Sequence, residues 1–283
     1  METMLRGRSK TVKISPQGAF VMIGEKINPT GRKKLAAALQ AGDLEYVRGL
    51  AQAQIDGGAD LLDVNVGVPG VDEPALMRTV VSLLAETFDL PFCLDSADPK
   101  TLAAGLAVAP GKVLINSVNA KPASLEAVLP LAKEHSAAVI GLTMDADGIP
   151  ATAPARLAAA GKIIEAAARY GIPAEDVVID PLVLTVGADS QAAAVTLQTI
   201  ALVRAELGVN INIGASNVSF GLPERDTVNL AFLALAIGAG ATCAITDPVK
   251  YARTLRAVDL LLGRDNYAMR YVKYCRAHPV EVK

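Results

Sequence analysis

Acidic and amide side chains end or follow the apolar, strand-like runs of this sequence. The set comprises Glu25, Asn28, Asp63, Asn65, Asp95, Asn116, Asp180 and Asn217. A strand buried on both faces rarely holds an unpaired polar group, since burying one costs roughly 1–3 kcal/mol. The carboxyl ends of parallel strands instead meet at one edge, where α/β folds bind ligands. Carboxylates that accept paired N–H donors, and amides that both donate and accept, suit a neutral, planar, donor-rich heterocycle.

Residues of these types also have other common roles. A single Asp or Asn after a strand commonly caps a helix, and Asp43 and Asp98 are interpreted in that way. Amides that alternate with carboxylates are weak ligands for transition metals, so no metal site is predicted. His135 and His278 fall in a helix and near the C-terminus, and we expect both at the surface. No nucleophile–base pair is evident.

Strand-like and helical patterns alternate eight times along the chain. The strand-like runs are 20–28, 59–67, 91–97, 113–118, 137–144, 177–184, 209–218 and 241–247. The helical runs are about 43–57, 73–88, 99–108, 121–135, 154–170, 189–207, 227–239 and 249–263. This order predicts an α/β protein with a single (β/α)₈ TIM barrel over residues 1–283. A doubly wound sheet is the competitor, but edge-strand character and a glycine-rich dinucleotide fingerprint are missing from the sequence.

The two ends of the chain are expected to lie outside the barrel. Residues 1–18, with the basic cluster at 6–10, are predicted to form a solvated N-terminal tail. Residues 264–283 are predicted to be a C-terminal extension that continues the last helix across the barrel's outside.

Composition narrows the class of protein. The chain has 283 residues, 52% of them hydrophobic, with 4% aromatic residues and no Trp, so the core must consist of Ala, Val, Leu and Ile. A net charge of -2 gives no electrostatic reason to expect a nucleic-acid partner. Three widely spaced cysteines predict a reducing compartment, and no apolar run is long enough to span a membrane. We therefore expect a soluble, cytoplasmic protein.

Five sequence runs together resemble one known family, the pterin-binding barrel methyltransferases. They are 94–96 (LDS), 115–119 (INSVN), 141–144 (GLTM), 179–182 (IDPL) and 216–225 (SNVSFGLPER). The family includes the methyltetrahydrofolate:corrinoid protein methyltransferases and the folate module of cobalamin-dependent methionine synthase. The resemblance covers about residues 20–263, and the Ser-Asn-Val-Ser run at 216–219 is its most specific part.

The resemblance implies an activity and a set of site residues. The enzyme would move a methyl group between 5-methyltetrahydrofolate and the cobalt(I) corrinoid (cobalamin) of a separate corrinoid protein, and would act as a homodimer. The chain lacks the Asp-x-His-x-x-Gly signature of a cobalamin module, so a partner must supply the corrinoid. Asp95, Asn116 and Asp180 would bind the pterin edge. Asn217 would approach the methyl-bearing nitrogen, with Asn217 and Asp95 as catalytic residues. The remaining pterin-site residues would be Glu25, Asn28, Asp63, Asn65 and Ser219.

Two alternatives stay open. Dihydropteroate synthase shares the fold and the pterin-binding Asp and Asn residues, but it needs cations for a pyrophosphate leaving group, normally in a Ser-Arg-Lys run after the seventh strand. The corresponding run here, 216–219, carries no cation, and Arg225 lies farther on. The methyltransferase is therefore the favoured interpretation. The second alternative is a noncatalytic pterin-binding or corrinoid-protein scaffold.

Overall fold

A computed structural model of the protein describes residues 1–279. Its strands are β1 (Thr3–Arg6), β2 (Thr11–Ile14), β3 (Val21–Ile27), β4 (Leu61–Val64), β5 (Phe92–Asp95), β6 (Leu114–Asn119), β7 (Ala138–Leu142), β8 (Val177–Asp180), β9 (Asn212–Gly214) and β10 (Cys243–Thr246). Its α-helices are α1 (Lys33–Ala41), α2 (Leu44–Asp56), α3 (Glu73–Thr87), α4 (Pro99–Leu106), α5 (Pro122–Glu134), α6 (Ala153–Arg169), α7 (Ala192–Glu206), α8 (Arg225–Ala239), α9 (Pro248–Leu261) and α10 (Met269–Ala277).

The eight parallel strands β3–β10 form the predicted (β/α)₈ barrel. Their order is β8-β7-β6-β5-β4-β3-β10-β9. The wall closes between β8 and β9 through an isolated parallel bridge that joins Ile179 to Ile211. There the Ile179 N–H donates to the Asn210 carbonyl oxygen at 2.9 Å. The fold prediction is confirmed.

Alternate residues of each strand face two different cores. The larger core lies between the strands and the surrounding helices and includes Leu62, Phe92 and Leu94. The smaller core fills the barrel and includes Leu61 and Cys93. Burial on both faces explains why these strands are continuous apolar runs in the sequence.

The predicted N-terminal tail is wrong. Residues 3–14 form an antiparallel hairpin of β1 and β2, with Thr3 opposite Ile14. Leu5 and Ile14 are fully buried and join the core inside the barrel, so the hairpin closes the barrel's amino-terminal end. Burying a Leu or Ile side chain contributes roughly 1.5–3 kcal/mol, which a solvated tail would forgo.

The basic turn of the hairpin is also held in place. The Arg6 N–H donates to the Lys112 carbonyl oxygen at 2.9 Å, and the Lys112 N–H donates to the Arg6 carbonyl oxygen at 2.9 Å. The Asp89 carboxylate accepts hydrogen bonds from the hydroxyl and N–H of Ser9, and these lower the pKa of Asp89 to about 2. The basic side chains are solvated as expected, but the backbone that carries them is ordered.

The C-terminal extension does not continue the last barrel helix. Helix α9 ends at Leu261, Gly263 takes a left-handed conformation (φ 71°), and α10 is a separate helix that packs back on α9. The Tyr274 hydroxyl donates to the Gly57 carbonyl oxygen at 3.2 Å, which joins α10 to the end of α2. Residues 280–283 of the predicted extension lie outside the described residues. None of the described helices combines the length and apolar character needed to cross a membrane.

Candidate active site

A cavity of about 850 Å³ opens at the carboxyl ends of the barrel strands. Seven of the nine predicted site residues line it: Glu25, Asn28, Asp63, Asp95, Asn116, Asp180 and Asn217. The side chains that the sequence places at strand ends therefore do line one cavity. Asn65 and Ser219 are not among its lining residues. Their roles, like those of the other seven, stay predictions.

One wall of the cavity consists of two carboxylate–amide pairs carried by β4, β5, β6 and the residue after β4. The Asn116 amide Nδ2 donates to Asp63 Oδ1 at 3.3 Å, and the Asn65 amide Nδ2 donates to Asp95 Oδ2 at 3.0 Å. Asn65 thus lies behind Asp95 and faces a smaller neighbouring cavity of about 570 Å³. These pairs fix the orientation of the amides, so the Asn116 amide oxygen is left free to accept from a ligand.

Burial shifts the ionisation of this wall. Asp63 is 2% exposed, and burial raises its pKa well above the usual range, with the nearby Asp95 carboxylate adding to the effect. Burial also raises the pKa of Asp95, while the hydrogen bond from Asn65 opposes that rise. Carboxyl groups with raised pKa values in a cleft are typical of functional sites, since they hold or release protons near neutral pH.

Asp180 faces the opposite wall and is held on both carboxylate oxygens. The Leu182 N–H donates to Oδ1 at 2.8 Å, and the Asn212 amide donates to Oδ2 at 2.7 Å. Asp180 is 6% exposed, and burial raises its pKa to about 6 although both hydrogen bonds lower it. A carboxylate with both oxygens oriented can accept two parallel N–H donors from a planar ligand.

A buried arginine fixes the loop that follows Asp180. Arg156 on α6 is almost fully buried, and its guanidinium donates to the carbonyl oxygens of Pro181 at 2.9 Å and Leu182 at 2.8 Å. Leu182 has a φ of 62°, which is uncommon for a side chain of this size. The arginine holds this backbone, and so holds the N–H group that binds Asp180. The sequence analysis missed Arg156 because a lone arginine on a helix carries no signal of burial.

Asn217 lies at the cavity mouth in a 3₁₀ turn over residues 215–219. No hydrogen bond occupies its side-chain amide within residues 1–279. The residue before α8 is Glu224, so Asn217 does not cap that helix. An exposed amide without a structural partner, beside a polar cavity, is available to a ligand.

Ser219 supports the wall behind the cavity. It is fully buried, donates to the Asn229 amide oxygen at 2.7 Å and accepts from Arg225 Nε at 3.1 Å. Ser219 is not among the lining residues of the cavity, and its predicted contact with a ligand stays a prediction. Its contact is with the arginine that lines the cavity.

Four cations line the cavity although the sequence analysis predicted none. They are Lys26, Arg32, Arg225 and Lys250, against seven carboxylates: Glu25, Asp63, Asp95, Asp180, Glu224, Asp226 and Asp247. Three of these cations are paired: Lys26 with Asp247 at 2.6 Å, Arg32 with Glu25 at 3.2 Å, and Lys250 with Asp226 at 2.7 Å. The Arg225 guanidinium donates to the Ser216 carbonyl oxygen at 2.7 Å. These cations lie on β3, just before α1, and in the first turns of α8 and α9, so no local spacing reveals them.

The barrel and the oriented carboxylate–amide cavity at its carboxyl end are those of an enzyme that binds a planar heterocycle. The family described as pterin binding enzyme matches residues 24–247, most of the chain. The protein belongs to this family, and the predicted family resemblance is confirmed.

Two relatives are similar to the chain over most of its length. The chain is 29% identical over 276 residues to the methylcorrinoid:tetrahydrofolate methyltransferase of Eubacterium limosum, covering 93% of this chain and 100% of that protein. It is 33% identical over 253 residues to the methionine synthase of Mycobacterium tuberculosis, covering 84% of this chain and 21% of that protein. The chain thus spans about a fifth of the methionine synthase.

Solved structures show the same barrel. The dihydropteroate synthase of Yersinia pestis, in a sulfonamide drug complex, aligns with a TM-score of 0.70 at 19% identity, over 92% of this chain and 99% of that one. The dihydropteroate synthase of Xanthomonas albilineans, in complex with 7,8-dihydropteroate, aligns with a TM-score of 0.64 at 23% identity, over 92% and 98%. At these identities the likeness concerns the fold.

Proposed function

We propose that this protein transfers a methyl group between 5-methyltetrahydrofolate and the cobalt(I) corrinoid of a separate corrinoid protein. The observation that carries the proposal is the neutral, unpartnered amide of Asn217 at the mouth of a cavity whose interior presents Asp95, Asn116 and Asp180. The full-length similarity to the methylcorrinoid:tetrahydrofolate methyltransferase supports it.

The cavity walls are suited to hold the pterin. Asp180, with both oxygens fixed, accepts two N–H donors from the amino-amidine edge, and Asn116 offers its free amide oxygen from the other wall. With the pterin held there, the methyl-bearing nitrogen faces Asn217 at the mouth. Positioning of this kind supplies much of the rate in a displacement that needs no covalent enzyme intermediate.

The Asn217 amide would switch between donating and accepting a hydrogen bond as the charge on the pterin nitrogen changes. That nitrogen keeps the electron pair of the N–CH₃ bond that breaks, so it is a poor leaving group unless protonation or hydrogen bonding gives it positive charge before or during the displacement. A neutral amide can turn to donate or accept, so it stabilises both forms without carrying charge itself. The corrinoid, bound to its own protein, provides the cobalt(I) that accepts the methyl group.

The charge balance of the cavity favours methyl transfer over dihydropteroate synthesis. The synthase reaction releases pyrophosphate, which carries several negative charges. Seven carboxylates face four cations here, and three of those cations already have carboxylate partners. Such a lining repels a polyanion and attracts a pterin that becomes positively charged.

The test is a direct comparison of two reactions with the purified protein. We expect loss of cob(I)alamin absorbance on addition of 5-methyltetrahydrofolate, faster with a corrinoid protein than with free cobalamin. We expect no condensation of p-aminobenzoate with dihydropterin pyrophosphate. Formation of dihydropteroate would support the synthase instead, and folate binding without either reaction would support the scaffold.

Homodimer formation and a cytoplasmic setting are part of the proposal. Helices α7 and α8 pack together, and apolar residues including Ala201, Ala231 and Leu235 are exposed on them. Apolar side chains exposed side by side on two packed helices are typical of a surface covered by a partner, here a second copy. Replacing Leu235 with Lys should yield monomers in light scattering, while Leu261→Lys, at an exposed site on α9, should not. Cys93, Cys243 and Cys275 are free, which suits a reducing compartment.

A further inference from the structure

A buried amide connects the interior of the barrel to the site carboxylate Asp180. Asn212 begins β9, is fully buried and is not a lining residue of the cavity. Its Nδ2 donates to Asp180 Oδ2 at 2.7 Å. Its Oδ1 lies 3.7 Å from the thiol sulfur of Cys243, the residue opposite it on β10.

These two contacts fix which way the amide points. An ionised carboxylate only accepts, so the NH₂ group of Asn212 must face Asp180. The amide oxygen then faces Cys243, whose thiol is a weak donor and lies equally close, at 3.7 Å, to the Ile211 carbonyl oxygen. Rotating the amide by half a turn would set two oxygens against each other. The orientation of Asn212 and the ionised state of Asp180 therefore require one another.

We propose that Asn212 is a positioning residue for folate binding, which fixes the plane of the Asp180 carboxylate and keeps it ionised. The proposal rests on the proposed function, because it assigns Asp180 to the pterin edge. The Leu182 N–H holds one carboxylate oxygen and Asn212 holds the other. Each oxygen then keeps a lone pair for one of two parallel N–H donors from the ligand.

The pH dependence of binding follows from the surroundings of Asp180. Within the described residues, the charged and titratable groups that face it are Arg156 from α6 and Cys243 from β10. Burial raises the pKa of Asp180 to about 6, while the Leu182 N–H, Asn212 and Arg156 lower it. Folate binding by the native protein should therefore weaken as pH falls through about 6.

Two variants test the role of Asn212. Asn212→Leu keeps the number and branching of the side chain's heavy atoms and removes the donor. The titration of Asp180 and the acid limit of tetrahydrofolate binding should then both move upward by about one to two pH units, since a hydrogen bond to a charged group contributes roughly that much. Asn212→Asp places two carboxyl groups together, so they share one proton and binding should weaken as pH rises. The opposite direction of these two effects is not produced by a general loss of packing.

Asn210→Leu is the matched control. Asn210 is also a buried asparagine beside β9, but its Nδ2 donates at 2.9 Å to the Ile14 carbonyl oxygen and at 2.9 Å to the Thr3 hydroxyl, in the hairpin at the far end of the barrel. Its replacement should lower the melting temperature and leave the pH limit of binding unchanged.

Two readouts separate this proposal from the proposed function. Carbon-13 NMR of the labelled Asp180 carboxyl group in the free protein reports its titration directly, and calorimetry with tetrahydrofolate reports binding. An unchanged Asp180 titration in Asn212→Leu overturns the role of Asn212, even if folate binds. A shifted titration in a protein that binds no folate overturns the proposed function and leaves the positioning of Asp180 established. If Asn212→Leu does not fold, Asn212→Asp gives the same decision.

Discussion

Replacing Asp180 with Asn should make the protein's stability less dependent on pH while it removes folate binding. Burial raises the pKa of Asp180 from 3.8 to about 6. The folded protein therefore binds the proton more tightly than the unfolded chain, so the free energy of unfolding falls as pH rises through that interval and is constant above it. At 1.36 kcal/mol for each pKa unit, the native protein loses about 3 kcal/mol.

The variant has no charge to bury at this position, so this loss should disappear. An amide offers one acceptor oxygen to the two donors of Leu182 and Asn212, and an unsatisfied donor costs roughly 1–3 kcal/mol at every pH. At neutral pH the two effects nearly cancel, or leave the variant slightly more stable. The difference in unfolding free energy between variant and native protein should still grow by about 3 kcal/mol from acid to neutral pH.

Urea unfolding at a series of pH values measures this difference, and calorimetry with tetrahydrofolate measures binding. Asp147→Asn, at an exposed loop position, serves as the control and should track the native protein throughout. Parallel stability curves for native protein and Asp180→Asn would refute the reasoning, because they would mean that Asp180 is no harder to ionise in the folded state. Unchanged folate affinity would remove Asp180 from the site.

Three further substitutions separate chemistry, site geometry and scaffold. Asn217→Ala should lower the single-turnover rate of methyl transfer by about 10²-fold or more in stopped flow, with a much smaller loss of folate affinity; a rate within about threefold of native would contradict a transition-state role. Arg156→Met should leave the carbonyl groups of Pro150 and Pro181 without a donor, at roughly 1–3 kcal/mol each, while the Leu182 carbonyl keeps its hydrogen bond from the Thr196 hydroxyl. The substitution should lower the unfolding free energy and weaken folate binding. A variant that loses stability but binds folate with native affinity would argue against a positioning role for Arg156. Leu5→Ala should cost about 2–5 kcal/mol in urea unfolding and leave folate affinity unchanged, since the hairpin lies at the end opposite the cavity; altered affinity would contradict that separation.

Sequence reasoning succeeds here where a residue's environment is set by its own strand. A continuous apolar run such as 177–179 signals a strand buried on both faces, and its last residue, Asp180, must then lie at the carboxyl edge. The same logic places Asp95 and Asn116 at one cavity. The hairpin was missed because β1 and β2 are four residues long and carry exposed basic side chains such as Arg6 and Lys13.

Roles that depend on contacts between elements distant in the chain could not be predicted from the sequence. Arg156 reads as one more basic helix residue until the fold buries it beside Pro181 and Leu182. Ser219 belongs to the most specific motif of the resemblance, yet its hydroxyl faces Arg225 and the interior. Motifs identify the segment that matters, but which side chains of that segment reach the cavity is decided by the turn they adopt.

The closing bridge between β8 and β9 gives the barrel wall a seam. Within residues 1–279, Ile179 and Ile211 make the one backbone bridge assigned across it, and the Asn212–Asp180 hydrogen bond adds a side-chain link. Asp180 lies on one edge of this seam and Asn217 lies beyond the other. A ligand that contacts both residues would therefore link β8 and β9 across the part of the wall with the fewest backbone hydrogen bonds. Occupancy of the cavity is therefore expected to stabilise the closed wall at this seam.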